Sequence, residues 1–176
     1  EASEKIRAAN KPGLYRWVLR DRSNIRTSLV QNLVSLGYVE NLPTHGGVLT
    51  PVYGGSSCYQ YPIGPMVKHL EEKFGSPIHD LDTYLEILTR FLSGLRESGF
   101  AAFKYYATKP RLVPDYDAAR KVFMEFVDPG QPHPIVEAVI LDHVFKKAAE
   151  WDWTVSVHCG GAYMDTRTYD TRYIID

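Results

Sequence analysis

Three side chains that could do chemistry lie near the ends of two strand-like runs. Lys104 and Tyr106 lie at the end of residues 100–106, and His158 is the last residue of the run 153–158. A neutral imidazole can ligate a divalent metal or act as a base. A lysine on a buried strand needs a carboxylate, a substrate anion or a chemical modification, because burying an unpaired ammonium costs several kcal/mol. The two runs therefore predict a polar site where strands end.

The alternation of side chains along each strand decides which of them can meet. Lys104 and Tyr106 share one face of the first run, and Ser156 and His158 share one face of the second. A helix-rich segment separates the two runs, so we expect parallel neighbouring strands that are covered by helices. An inward polar face with lysine and histidine at the carboxyl end is what the active site of a parallel barrel requires.

His158 and Lys104 each also have a purely structural interpretation. His158 could be a histidine that is hydrogen-bonded in the core or at the rim of a sheet. Lys104 could form a structural ion pair, or extend its amine to the end of the strand. Cys159 follows His158 directly, but adjacent strand residues point to opposite faces, so a cysteine–histidine catalytic pair is rejected.

Residues outside the two runs could complete a pocket. Arg167 and Arg172 could bind an anionic substrate through forked hydrogen bonds, although surface arginines are commoner. Residues 45–47 (His-Gly-Gly) and 59–61 (Tyr-Gln-Tyr) lie in loops that flank a strand and could line a cavity. The residues that we expect to contact substrate are Lys104, Tyr106 and Arg167.

Hydrophobic periodicity places helices between the strands. Residues 81–97 carry leucines at helical spacing, with Asp80 as N-cap and Gly99 as stop signal. Residues 25–31 fit a strand or the start of a helix, and we expect the strand. Further helices are expected at 14–20, 66–74, 116–127 and 134–150, and a further strand at 48–53. This order predicts an α/β fold, a partial (β/α)8 TIM-barrel-like domain.

Bulk properties exclude several classes of protein. The 176 residues suffice for one domain, and a net charge of −1 without a basic stripe argues against nucleic-acid binding. No apolar run approaches the roughly 20 residues that a membrane span needs. The polar start is not a signal peptide, so we expect a cytoplasmic protein. The chain lacks an initial methionine and stops inside an apparent element, so we expect residues 1–176 to be the central part of a larger barrel.

Four segments together resemble a known family. They are residues 17–26 (WVLR, then NIR), 49–53 (LTPVY), 99–106 (GFAAFKYY) and 155–161 (VSVHCGG). The chain resembles the amidohydrolase superfamily, particularly the branch that contains amidohydrolase-type decarboxylases and uronate isomerase-like proteins.

The resemblance implies a metal-dependent barrel enzyme. Members of the family are (β/α)8 barrels with one or two divalent metals at the carboxyl ends of the strands. By the resemblance, His158 is the metal ligand of the fifth strand, and Lys104 takes the fourth-strand position that contacts metal or substrate. The implied cofactor is a divalent ion, zinc or manganese. The chain departs from the family pattern because it has no His-x-His on a first strand and no eighth-strand aspartate.

Three functions follow from these patterns. The first is a metal-dependent, amidohydrolase-like enzyme that hydrolyses or decarboxylates a small carbonyl or carboxylate substrate, with Arg167 reading an anionic group. The second is a metal-free lyase that uses Lys104 as a Schiff-base amine. The third is a non-catalytic binding or scaffold domain. A partial barrel has open sheet edges, so we expect a homo-oligomer or the remaining part of the barrel as partner, and a small molecule as substrate.

Overall fold

Four parallel strands form one sheet in the part of the chain that the structure, a computed structural model, describes: residues 2–32, 47–60, 62–106, 113–127 and 132–158. Each strand pairs with the next one in the chain. A doubly wound sheet reverses its strand order at a switch point, whereas a (β/α)8 barrel adds every strand on the same side. The predicted α/β fold, a partial TIM barrel, is therefore confirmed. The strands are β1 (Ser28–Asn32), β2 (Leu49–Gly54), β3 (Ala102–Tyr106) and β4 (Thr154–His158).

The helices that follow β2 pack on one side of this sheet, and local signals set their ends. The longest are α5 (Leu81–Glu97) and α7 (Pro134–Glu150). At the start of α5, the Oδ1 of Asp80 accepts a hydrogen bond from the backbone N–H of Thr83 at 2.7 Å. Pro134 begins α7, where its missing N–H costs nothing. The helices are α1 (Ala2–Ala9), α2 (Leu14–Arg16), α3 (Ser56–Tyr59), α4 (Gly64–Phe74), α5 (Leu81–Glu97), α6 (Tyr116–Val127) and α7 (Pro134–Glu150).

The first helical prediction and the first strand prediction need correction at their ends. The helix expected at 14–20 is α-helical only to Arg16 and then widens into a π-helical segment, Trp17–Arg22. The strand expected at 25–31 begins at Ser28, because Asn24 takes a left-handed backbone conformation with φ +51° and the chain turns there. No helix among the described residues is both long and apolar enough to cross a membrane.

The core lies between the sheet and the covering helices. The ring of Tyr53 on β2 packs edge-on against Phe91 of α5, with the centroids 5.6 Å apart. Phe103 on β3 is fully buried and contacts both Tyr53 and Trp153. Tyr105, also on β3, packs edge-on against Phe145 of α7. These aromatic contacts fix the outer face of the sheet, so the alternate residues of each strand point to the inner face.

Candidate functional site

The register of β3 and β4 places four polar side chains on the inner face. Lys104 is the Cα partner of Ser156, and Tyr106 is the Cα partner of His158. Paired residues of parallel strands point to the same side of the sheet, and alternation puts these four opposite the buried Phe103. The sequence-predicted site residues Lys104, Tyr106 and His158 therefore share one face at the carboxyl end of the sheet.

The side chain of Tyr106 contacts His158. Their ring centroids lie 5.2 Å apart, with an interplanar angle of 36°. Lys104 lies two residues lower on β3, level with Ser156, which corresponds to about 6.6 Å along the strand. The Nζ of Lys104 lies 5.9 Å from the centroid of the Tyr106 ring, within the range of a cation–π contact. The Tyr106 ring thus lies within contact distance of both the cation and the imidazole.

Gln31 lies on the same inner face as these residues, although the sequence analysis did not identify it as a site residue. Its Nε2 donates a hydrogen bond to the Oη of Tyr106 at 2.5 Å, reaching from β1 past β2. Gly54, the last residue of β2, is level with Lys104 and carries no side chain that would stand in the way. The alternation of β1 could have indicated Gln31, because it shares the face of Leu29 and Thr27.

Tyr59 holds the main chain of Tyr106. The backbone N–H of Tyr106 donates to the Oη of Tyr59 at 3.2 Å, just beyond the point where the pairing of β2 with β3 ends. Burial raises the pKa of Tyr59 well above its ordinary value, so the phenol stays neutral and accepts this bond over a wide pH range. Tyr59 was expected to line a pocket, but its side chain is only 2% exposed. Its contribution to the site is the hydrogen bond that holds the backbone of Tyr106.

The described residues alone do not make a metal centre. No group of three or more histidines, cysteines, aspartates and glutamates comes together in the part of the chain that the structure describes. A catalytic zinc site takes three protein ligands. The inner face offers the imidazole of His158 and the amine of Lys104, beside a phenol, an amide and a hydroxyl. The predicted zinc or manganese ion therefore does not fit this donor set without ligands from elsewhere.

Several predicted residues lie outside the described part of the chain. Among them is Arg167, which was expected to bind an anionic group of the substrate. The others are Arg172, His45, Gly46, Tyr61 and Cys159.

A cavity of about 660 Å³ lies at the opposite end of the strands. Leu49 and Phe100, at the amino ends of β2 and β3, line it together with Phe91 and Arg90 of α5. The guanidinium of Arg90 stacks on the ring of Phe74, 4.7 Å from the centroid. Gln31, Lys104, Tyr106, Ser156 and His158 do not line this cavity. Barrel chemistry takes place at the carboxyl ends of strands, so we place the candidate site at Tyr106 and His158 and not in this cavity.

Comparison with known proteins shows the fold of this chain. No protein-family model matches it, and no curated protein matches it. Among solved structures, glucuronate isomerase from Caulobacter crescentus is similar with a TM-score of 0.62 and 18% identity, over 88% of this chain and 34% of that one. Uronate isomerase from Thermotoga maritima is similar with a TM-score of 0.59 and 14% identity, over 87% of this chain and 45% of that one. The chain thus spans less than half the length of either protein.

Proposed function

We propose that this chain is one part of a (β/α)8-barrel enzyme of the amidohydrolase kind, which acts on a small carbonyl compound that carries a carboxylate. The observation that carries the proposal is the contact of the Tyr106 ring with His158, and the bond of Gln31 to Tyr106, on the inner face. Three strands contribute these side chains at their carboxyl ends, which is where barrel enzymes of this type carry their active sites.

The chemistry of the inner face supports an anionic, oxygen-rich substrate. Lys104 supplies a positive charge, and Tyr106 and Gln31 supply hydrogen-bond donors within the same group. The two similar solved structures are named as isomerases of uronate and glucuronate, which are sugar acids with a carbonyl and a carboxylate. Sugar acids are therefore the first substrates to test. Hydrolysis or decarboxylation of another small carboxylate is the alternative reaction within the same proposal.

The cofactor and the partner belong to the proposal as well. His158 would supply one ligand of a divalent ion, zinc or manganese, and the other ligands would come from the remaining part of the barrel. Within the described sheet, β1 pairs only with β2, and β4 pairs only with β3. A barrel must close these two edges. The closing strands would come from further residues of the same polypeptide or from a second copy.

Replacement of His158 tests the proposal directly. The purified protein that carries this chain is assayed for conversion of D-glucuronate, and separately of D-galacturonate, to the corresponding keto isomer. It is also assayed for hydrolysis and decarboxylation of small carboxylates. We expect His158→Asn to lower kcat/KM at least about 100-fold, because the substitution removes the imidazole that would hold the divalent ion or act as a base. The matched control is His79→Asn, since His79 is exposed in the irregular segment before α5. Full activity of the His158 variant would contradict the assignment.

A further inference from the structure

The hydrogen bond between Gln31 and Tyr106 indicates a role for the two residues that could not be inferred from either residue alone. We propose that the hydroxyl of Tyr106 donates a hydrogen bond to the substrate oxygen that gains negative charge during the reaction, and that Gln31 is the positioning residue that holds this hydroxyl. The inference rests on the proposed function and names the groups that would stabilise the charge.

The direction of the hydrogen bond is the first step of the argument. A phenol oxygen carries one proton to donate and can accept bonds as well. Because the amide N–H of Gln31 donates to the Oη of Tyr106, the phenol is the acceptor in this bond. The proton of Tyr106 therefore stays available for a second oxygen. A bond accepted by the phenol oxygen also polarises its O–H group and makes it a better donor.

The second step is how firmly Tyr106 is held. Its backbone N–H donates to the Oη of Tyr59 at 3.2 Å, and its ring lies 5.2 Å from the ring of His158. Its side chain is only half-buried, so a ligand on the inner face can reach it. A donor that is fixed before the substrate arrives needs no reorganisation during the reaction, and this makes such donors effective in catalysis.

The third step is the charge around the hydroxyl. The Nζ of Lys104 lies 5.9 Å from the centroid of the Tyr106 ring, on the same face. A neutral O–H donor beside an ammonium favours an oxygen that carries negative charge. The ligand class is therefore a carboxylate or the anionic oxygen that forms from a carbonyl group, as the sugar acids under the proposed function would provide.

Steady-state kinetics of Tyr106→Phe, Gln31→Met and the double variant test the role, with a sugar acid that the wild-type protein converts. We expect Tyr106→Phe to lower kcat about 100- to 1,000-fold, as for the loss of one donor to an oxyanion, with KM changed only a few-fold. Gln31→Met should lower kcat about tenfold, the equivalent of about 1.4 kcal/mol. In the Tyr106→Phe background it should lower kcat no further, because a positioning residue acts only through the group that it holds.

A second variant at Gln31 separates donation from packing. Gln31→Glu keeps the size of the side chain, but its carboxylate accepts a bond from the phenol and so takes the proton that the substrate would use. We expect this variant to lose more kcat than Gln31→Met while keeping its far-ultraviolet circular dichroism. Tyr15→Phe is the control, since Tyr15 is 50% exposed in α2.

The outcomes distinguish this inference from the proposed function. Wild-type kcat in Tyr106→Phe or Gln31→Glu, or an equal effect of Gln31→Met in both backgrounds, would overturn the inference and leave the proposed function standing. If the wild-type protein converts no sugar acid and no other small carboxylate, the proposed function fails and the inference fails with it.

Discussion

Replacement of Gly55 by alanine should destabilise the protein because the added methyl has no room. A Cβ at Gly55 would overlap the Cζ and Cε2 atoms of the Phe103 ring and would lie 2.8 Å from Cε1. The ring cannot rotate away, since Phe103 is fully buried and contacts Tyr53 and Trp153. The backbone of Gly55 (φ −73°, ψ 0°) is accessible to alanine, so the cost is steric and not conformational.

The magnitude follows from two opposing effects. Overpacking of a well-packed core costs about 1–3 kcal/mol, and overlap with several ring atoms corresponds to the upper end. Replacing glycine by alanine at a compatible backbone position stabilises the folded protein by about 0.4–1 kcal/mol, because the unfolded chain has lower conformational entropy. We therefore expect Gly55→Ala to lower the free energy of unfolding by about 2 kcal/mol.

Urea unfolding followed by circular dichroism measures this change. The matched control is Gly94→Ala in the last turn of α5, where no atom lies within 4 Å of the added Cβ. That variant should be more stable than the wild type by about 0.5–1 kcal/mol, the ordinary helix preference for alanine over glycine. In the double variant Gly55→Ala/Phe103→Leu the smaller side chain should offset part of the clash. A Gly55→Ala protein as stable as the wild type would refute the packing argument.

Two further predictions concern buried polar groups. Tyr84→Phe removes the O–H group that donates to the backbone oxygen of Cys58 at 2.6 Å, and leaving this buried oxygen unpaired should cost about 1–3 kcal/mol in urea unfolding; a change below about 0.5 kcal/mol would contradict it. Burial lowers the pKa of His143 below its ordinary value of 6.5 in the folded protein, and repulsion from Lys147 and Lys146 lowers it further. Attraction to Asp142 and a hydrogen bond with the backbone of Leu85 act in the opposite direction. The unfolded state then binds more protons, so stability should fall as the pH drops from about 6.5 through the folded pKa. His143→Gln should reduce this dependence, and an identical pH profile would contradict the assignment.

Local sequence signals predicted the helices well where caps and periodicity agree. The predicted helix 81–97 matches α5 at both ends, because Asp80 caps it and Gly99 follows it with φ +93°. Pro51 lies within β2, although a proline has no N–H to donate to a neighbouring strand. The structure explains this, since the pairing of β2 with β3 begins only at Val52, and the carbonyl of Pro51 still accepts the N–H of Ala101.

The candidate site was only partly predictable. Alternation along single strands correctly placed Lys104, Tyr106 and His158 on one face. Gln31 was not identified because it lies 75 residues from Tyr106 in the chain. Its segment also fitted either a strand or the start of a helix. No local pattern reports a contact between strands that are so far apart in sequence.

The register of β3 and β4 decides which residue becomes the neighbour of His158, and contacts at the other end of the sheet set that register. The Nε1 of Trp153, just before β4, donates to the backbone oxygen of Phe100, just before β3, at 2.8 Å. The ring of Trp153 also packs against Phe103. A slip of one residue would turn the inner face of β4 outward, and a slip of two would bring Lys104 level with His158. Because a buried indole N–H requires an acceptor, Trp153 opposes both slips. The anchor at the amino ends of the strands therefore selects Tyr106, and not Lys104, as the side chain that meets the imidazole.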